Sequence, residues 1–240
     1  MATFTEFLIE STFKYHRHLN SIVWDGDKLK PEIRKKLLTI ADEYYDYLEL
    51  PEFPIVDIIV TGSLANYNYT QYSDIDLHVI IDVPKTQGKD QGIDLEDLLD
   101  TKKKLWGETH EITIYNYPVE LYAQLKDETL TATGVYSIKN DKWNIKPSYL
   151  RDIKVDDYAI KIKSKSIKKT IDRIVASRDE EVSAIKEVQD KIKNMRKAGL
   201  KQAGEFSVEN LVFKELRNSG YLEKLSIAKT NAFDNELSLD

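Results

Sequence analysis

The chain has 240 residues and contains no cysteine. The absence of thiols excludes a disulfide scaffold, a cysteine zinc site and a thiol nucleophile. Histidine is scarce as well, with four residues in all. Two of them, His16 and His18, flank Arg17 in a pattern typical of an exposed helical turn. A histidine-rich metal centre is therefore not expected.

Long apolar stretches are also missing. No run approaches the roughly 18 apolar residues that a membrane-spanning helix needs. The segment from Met1 to Glu10 has two acidic residues and no basic one, which is unlike a secretory signal peptide. We therefore expect a cytoplasmic protein of a reducing compartment that makes no membrane contact.

Charged residues, by contrast, are abundant at 32%, beside 41% hydrophobic residues. The formal net charge of -6 argues against nucleic-acid binding over the whole surface. Residues 1–150 hold 16 basic and 25 acidic residues, whereas residues 151–240 hold 19 and 16. The basic surplus lies in residues 154–201. It predicts either a surface for a polyanion such as RNA or a solvated helix face with interspersed salt bridges.

The pattern of apolar residues predicts N-terminal helices, then a segment that contains the strands, then a helical C-terminal region, and we expect an α+β fold. Strands are predicted over 55–60, 75–81 and 111–124, the last with a break at Pro118, and a hairpin over 135–145. Helices are predicted over 4–22, 31–48, 94–105, 156–176, 179–198 and from Ser207 to about Gly220, with a shorter helix after it. Breaks are predicted at Gly199 and Gly204, and a loop over 84–94. We expect a helical N-terminal segment at 1–50 that packs on a core at 51–150, and a helical C-terminal region at 151–240.

Three short motifs in the predicted core point to chemistry on phosphates. Gly62 and Ser63 follow a buried strand, where backbone N–H groups at the start of a predicted helix suit an anion. Asp74 and Asp76 lie on the next strand, and the alternation of side chains puts both on one face. Glu120 lies between apolar neighbours on a later strand. Carboxylates that converge beside a phosphate-binding turn suggest a two-metal site for phosphoryl transfer.

Several neighbouring residues leave alternatives open. Glu111 and Asp82 are other candidates for the third carboxylate. His78 shares the predicted face of Asp74 and Asp76, where a hydrogen-bonded supporting role competes with a direct one. The tyrosines of the spacer, residues 66–72, either pack the loop or stack on a base. Two groups of lysines either form solvated helix faces or reach a phosphate. They are residues 102–104 and residues 161, 163, 165, 168 and 169.

This ordered set resembles the polymerase-β-like nucleotidyltransferase superfamily. The resemblance covers about residues 55–123 and includes Ser73 before the Asp-x-Asp pair. It implies a small mixed β-sheet with helices on one side, and transfer of a nucleoside monophosphate from an NTP. By this match Asp74 and Asp76 would bind two Mg²⁺ ions, with Mn²⁺ as an alternative, and Glu120 would complete one metal site. Gly62 and Ser63 would hold the triphosphate. The layout is also similar to compact nucleotidyltransferases encoded by bacteriophages.

The resemblance leaves the acceptor open among a protein side chain, an RNA end, a small molecule such as an aminoglycoside and another nucleotide. RNA would bind through the basic segment at 154–201. Oligonucleotide second messengers are a further class of product. The alternative function is a nucleotide-binding regulatory or toxin–antitoxin-type module with little turnover. Base preference and oligomeric state do not follow from the sequence.

Overall fold

The computed structural model describes residues 15–84, 95–128, 132–149, 155–177 and 182–238. The chain divides between residues 149 and 150 into a β-rich unit and a helical unit. The predictions for residues 1–14 and for the loop at 85–94 lie outside the described residues.

A six-stranded sheet forms the centre of the β-rich unit. Its strands are β3 (Ile55–Thr61), β4 (Ile75–Ile81), β5 (Thr113–Ile114), β6 (Tyr117–Leu125), β7 (Val135–Ser137) and β8 (Lys142–Ile145), and a separate two-stranded ribbon consists of β1 (Trp24–Asp25) and β2 (Lys28–Leu29). The strand order is β5-β6-β4-β3-β7-β8. The β4–β6 pair is parallel, whereas the other neighbours are antiparallel. The sheet is therefore mixed, which confirms the predicted fold class.

Two helices of the β-rich unit are α1 (Pro31–Leu48) and α2 (Leu95–Thr109). Helix α1 begins with Pro31, whose fixed φ suits the first turn of a helix. Its buried stripe consists of Ile33, Leu37, Ile40, Ala41, Tyr44 and Leu48. This stripe joins the apolar face of β3 and β4 in one core cluster. Helix α1 has the predicted bounds, and α2 extends the predicted helix to Thr109.

The helix predicted over residues 4–22 is wrong for residues 15–22, which form bends and turns. The side chain of Asn20 accepts a hydrogen bond from the Ile22 backbone N–H at 2.8 Å. The Asn20 carbonyl also accepts from Trp24 N–H at 2.8 Å, and the N–H of His16 donates to Tyr67 O at 2.7 Å. The asparagine side chain that accepts from Ile22 N–H competes with helical hydrogen bonds, so local bonding overrides the apolar pattern.

The strand predicted over 111–124 breaks at Tyr115 and Asn116 rather than at Pro118. Both residues have positive φ, 48° and 70°, as a two-residue hairpin turn of type I′ requires. Pro118 instead lies within β6, opposite Thr113 of the short edge strand β5. The ladder between β6 and β4 begins one residue later, at Val119, and the start of a strand tolerates a proline because its missing N–H takes no hydrogen bond from that ladder.

The helical unit contains four α-helices and one short 3₁₀ helix, Gly204–Phe206, in its described part. The α-helices are α3 (Asp157–Ala176), α4 (Val182–Ala203), α5 (Val208–Asn218) and α6 (Tyr221–Leu237). Asp156 caps α3 by accepting from Ala159 N–H at 2.9 Å, and Ser207 caps α5 by accepting from Asn210 N–H at 3.2 Å. None of the helices in the described ranges combines the length and the apolar character that a bilayer crossing requires.

Two predictions for the helical unit are wrong. Gly199 does not break α4 but lies buried inside it, where a Cβ would come within 2.5 Å of Glu209 Cβ. Here glycine permits close helix packing, while the chain turns at Gly204, whose φ is 70°. The last helix has 17 residues and is longer than α5, which has 11.

Candidate active site

Three carboxylates meet where β4 and β6 run side by side. Asp76 of β4 lies in register with Glu120 of β6, and Asp74 immediately precedes β4. Asp74, Asp76 and Glu120 are half-buried, and each offers an oxygen that lies within 4.8 Å of the other two. Carboxylate oxygens are the ligands that hard divalent cations prefer. The donor set therefore fits Mg²⁺ or Mn²⁺.

Gly62 lies against this cluster. Thr61, the last residue of β3, is in register with Asp76, so the next residue crosses directly over that carboxylate. A Cβ at position 62 would overlap Oδ2 of Asp76. The φ of Gly62 is also 75°, a region that side chains disfavour. Glycine is thus required here both by backbone conformation and by space.

Ser63 lies in a turn, not at the start of a helix as predicted. The Leu64 carbonyl, which would serve a helix, accepts instead from Trp24 Nε1 at 2.7 Å. The turn closes through Asn66 N–H, which donates to Ser63 O at 3.1 Å. Any anion at this turn would therefore meet backbone N–H groups without a helix dipole behind them.

The Ser63 hydroxyl forms a hydrogen bond of 2.7 Å with the Ser73 hydroxyl. Ser73 Oγ also accepts from Thr70 N–H at 2.9 Å. Because Ser73 precedes Asp74, this pair of bonds joins the Gly-Ser turn to the Asp-x-Asp strand. The structure therefore brings the Gly-Ser turn and the three carboxylates into one site.

The two other candidate carboxylates lie outside the cluster. Asp82 forms an ion pair with Lys126 at 2.9 Å, and Glu111 is exposed ahead of β5. Among the described residues, the group that could hold a metal is Asp74, Asp76 and Glu120.

Tyr122 belongs to the site but was not predicted. Its hydroxyl donates to Oε2 of Glu120 at 2.7 Å. Burial raises the pKa of Tyr122, and the hydrogen bond to Glu120 raises it further, so the phenol is protonated at neutral pH. The sequence does contain a signal for it, because residues 120 and 122 share one face of a strand.

His78 stacks on Tyr122, with ring centroids 4.4 Å apart and planes 10° from parallel. Its Nδ1 lies 3.0 Å from Oε1 of Gln124. Burial lowers the pKa of His78 to about 4 despite this hydrogen bond, so the imidazole is neutral at pH 7. These contacts agree with the predicted supporting role.

The three consecutive lysines of α2 lie in three different environments. Lys102 forms an ion pair with Glu49 at 3.0 Å, and Lys104 is exposed. Lys103 is half-buried, with Nζ 3.4 Å from the centroid of the Tyr122 ring. The lysine run alone could not single out Lys103, because the contact depends on where α2 packs on β6.

The ammonium of Lys103 interacts electrostatically with the acidic cluster. Burial lowers the pKa of Lys103, and the carboxylates of Glu120, Asp100, Asp76 and Asp74 act in the opposite direction. A cation near three carboxylates reduces their mutual repulsion.

The spacer tyrosines mainly pack the loop. Tyr69 stacks on His16 with centroids 3.8 Å apart. Tyr67 meets Tyr15 edge-on at 6.0 Å and Tyr149 at 5.6 Å. Tyr72 is 48% exposed, so it is the spacer tyrosine with most surface left for a ligand.

Comparison with known families identifies the class of protein. Residues 34–186 match the model of the family described as "Nucleotidyltransferase domain". This match covers more than half of the 240 residues. The chain therefore belongs to the nucleotidyltransferase domain family, and its enzymatic class is nucleotidyl transfer.

Two solved structures show similarity at low sequence identity. The STING-associated CdnE c-di-GMP synthase from Capnocytophaga granulosa is 12% identical, with 87% of this chain and 84% of that chain covered and a TM-score of 0.23. The CdnC:HORMA-deltaN complex of E. coli MS115-1 contains a chain that is 15% identical, with 82% and 64% covered and a TM-score of 0.23. No curated protein matches the sequence.

Proposed function

We propose that this nucleotidyltransferase is Mg²⁺-dependent and moves a nucleoside monophosphate from an NTP to a hydroxyl acceptor, with release of pyrophosphate. The observation that carries the proposal is the convergence of Asp74, Asp76 and Glu120 beside the Gly62 turn. When bound, divalent cations supply activation of the acceptor hydroxyl and neutralise charge on the phosphates. Mn²⁺ has the same preference for oxygen ligands and is the alternative ion.

Each site residue has a proposed role. Asp74 and Asp76 would hold two divalent cations, and Glu120 would complete one of the two metal sites. Gly62 and Ser63 bind the triphosphate through backbone N–H groups and the Ser63 hydroxyl. The acceptor oxygen forms its bond to the α-phosphorus as the bond to the bridging oxygen breaks, and pyrophosphate leaves. Catalysis of such a transfer depends mainly on the positioning of the reacting groups and on the stabilisation of charge on the phosphates.

RNA is one candidate for the acceptor of the nucleoside monophosphate. The basic segment at 154–201 would supply its binding surface. However, Lys163 pairs with Glu209 at 2.6 Å and Lys168 pairs with Glu215 at 2.8 Å. These pairs reduce the positive charge available for a polyanion and agree with the predicted solvated helix face.

The test is an activity assay with each α-labelled NTP, with Mg²⁺ or Mn²⁺, and with or without total RNA. We expect pyrophosphate release by the wild type and a loss of at least about 10²–10³-fold in Asp76→Ala. Asp82→Ala is the matched control, because that carboxylate is ion-paired outside the cluster. It should retain wild-type activity.

The labelled product identifies the acceptor class. Labelled RNA indicates an RNA end, and new labelled nucleotides indicate a nucleotide acceptor. Tight NTP binding without pyrophosphate release, under every condition, would contradict the proposal and favour a nucleotide-binding module. Equal release by wild type and Asp76→Ala would rule out the proposed site.

A further inference from the structure

Glu120 accepts a hydrogen bond from Tyr122, a side chain that has no role in the proposed chemistry. Strands β4 and β6 are parallel, with Asp76 opposite Glu120 and His78 opposite Tyr122. Alternation along both strands therefore places a second row, His78 and Tyr122, directly behind the carboxylates. From this row the Tyr122 hydroxyl donates to Oε2 of Glu120 at 2.7 Å.

The ring of Tyr122 is held on both faces. The His78 ring lies nearly parallel to it at 4.4 Å between centroids, and Lys103 Nζ lies 3.4 Å from its centroid. An imidazole and an ammonium at these distances would overlap if they shared one face. They therefore cover opposite faces, and residues from β4 and α2 fix a side chain of β6.

A fixed phenol matters because a glutamate side chain is flexible. Ordering a free Glu side chain costs conformational entropy. A partner that holds the carboxylate in place reduces that cost before the cation arrives. Groups that orient a ligand in this way typically change metal affinity by about 10- to 100-fold.

We propose that Tyr122 is a positioning residue that presents Glu120 to a divalent cation, and that His78 and Lys103 hold its ring in place. This inference rests on the proposed function, because that function assigns Glu120 as a metal ligand. It adds a residue whose influence on the cation passes through Glu120.

Tyr122→Phe tests the inference, since it removes one oxygen and keeps the ring between His78 and Lys103. We expect the affinity for Mn²⁺, measured from the electron paramagnetic resonance signal of free Mn²⁺, to fall about tenfold. The Mg²⁺ concentration for half-maximal activity should rise by a similar factor, while kcat at saturating Mg²⁺ stays within about twofold. Tyr115→Phe changes a hairpin tyrosine that is 58% exposed. It should leave the Mn²⁺ affinity and the half-maximal Mg²⁺ concentration unchanged.

Two further variants separate the possible failures. Glu120→Gln should weaken Mn²⁺ binding strongly, and wild-type affinity in this variant would overturn the proposed ligand set itself. If Glu120→Gln weakens binding but Tyr122→Phe does not, the positioning inference fails and the proposed function stands. In the double variant, Tyr122→Phe should have no additional effect. An undiminished effect there would show general distortion of the site and would also overturn the inference.

Discussion

The helical unit and the acidic cluster of the β-rich unit use carboxylates in opposite ways. In the helical unit, acidic residues on one helix meet lysines on another. Interhelical pairs among the described residues include Lys163–Glu209, Lys168–Glu215 and Lys224–Asp172, with distances from 2.6 to 2.8 Å. In the β-rich unit, three carboxylates face one another across 4.8 Å or less. The first arrangement brings opposite charges together, whereas the second brings like charges together.

The acidic cluster and the interhelical ion pairs differ in how precisely the backbone must be placed. An interhelical ion pair tolerates small shifts, because two long side chains can adjust. The acidic cluster instead needs a fixed backbone, with Gly62 in contact with Asp76 and β4 in register with β6. Clustered like charges that the fold holds in place are typical of functional sites.

The largest expected difference between the units comes from two glycines with the same φ of 75°, Gly62 and Gly220. A Cβ at Gly220 meets nothing within 4 Å, whereas one at Gly62 would overlap Asp76. Gly220→Ala should cost about 1–2 kcal/mol in the free energy of unfolding, from backbone conformation alone. Gly62→Ala should cost more and should lower nucleotidyl transfer at least about 100-fold.

Urea unfolding in EDTA and pyrophosphate release measure the two effects. Full activity in Gly62→Ala would show that the contact with Asp76 is unimportant. An equal loss of activity in Gly220→Ala would show that general destabilisation, and not the local overlap, lowers the rate.

Much of the β-rich unit follows from the sequence, because its signals are local. The bounds of α1 and β4 are as predicted: Pro31 begins the helix, and continuous alternation marks the strand. Asp74, Asp76 and Glu120 were selected from the sequence, and the structure brings them together. Their roles as ligands remain predictions.

Most of the parts that the sequence did not predict depend on distant partners. The pattern of residues 15–22 predicts a helix, but the backbone N–H of His16 donates to the distant Tyr67 O. Gly199 reads as a helix break until its neighbour Glu209 on α5 is known. Lys103 is one of three adjacent lysines until α2 is packed on β6. In each case the deciding contact lies across a turn or between elements.

Neutralising one carboxylate in each unit should change stability in opposite directions. Asp76→Asn relieves repulsion from two carboxylates and weakens the attraction to Lys103, and in EDTA it should raise the free energy of unfolding by about 1 kcal/mol. Glu215→Gln breaks a half-buried pair with Lys168 and should lower it by about 1 kcal/mol. Urea unfolding in EDTA checks both values. Destabilisation by Asp76→Asn would mean that the cluster is held by attraction instead.

The smallest expected effect is a pH dependence in the helical unit. The hydrogen bond from Lys163 Nζ holds the pKa of Glu209 below its usual value of 4.5. A depressed folded pKa adds stability above the unfolded pKa, and this contribution disappears as the pH falls through the folded value. Lys163→Met should therefore lower Tm by about 1 °C at pH 7 and by less below pH 4.

Lys191→Met is the matched control for this test, because its pair with Glu187 has both side chains 75% exposed at 3.5 Å. It should change Tm less than Lys163→Met does at pH 7. The measurement is a series of thermal melts from pH 7 to pH 3. If Tm falls by the same amount in both variants at every pH, the Lys163–Glu209 pair stabilises the fold no more than a solvated surface pair does. The contrast between the interhelical pairs and the acidic cluster would then weaken.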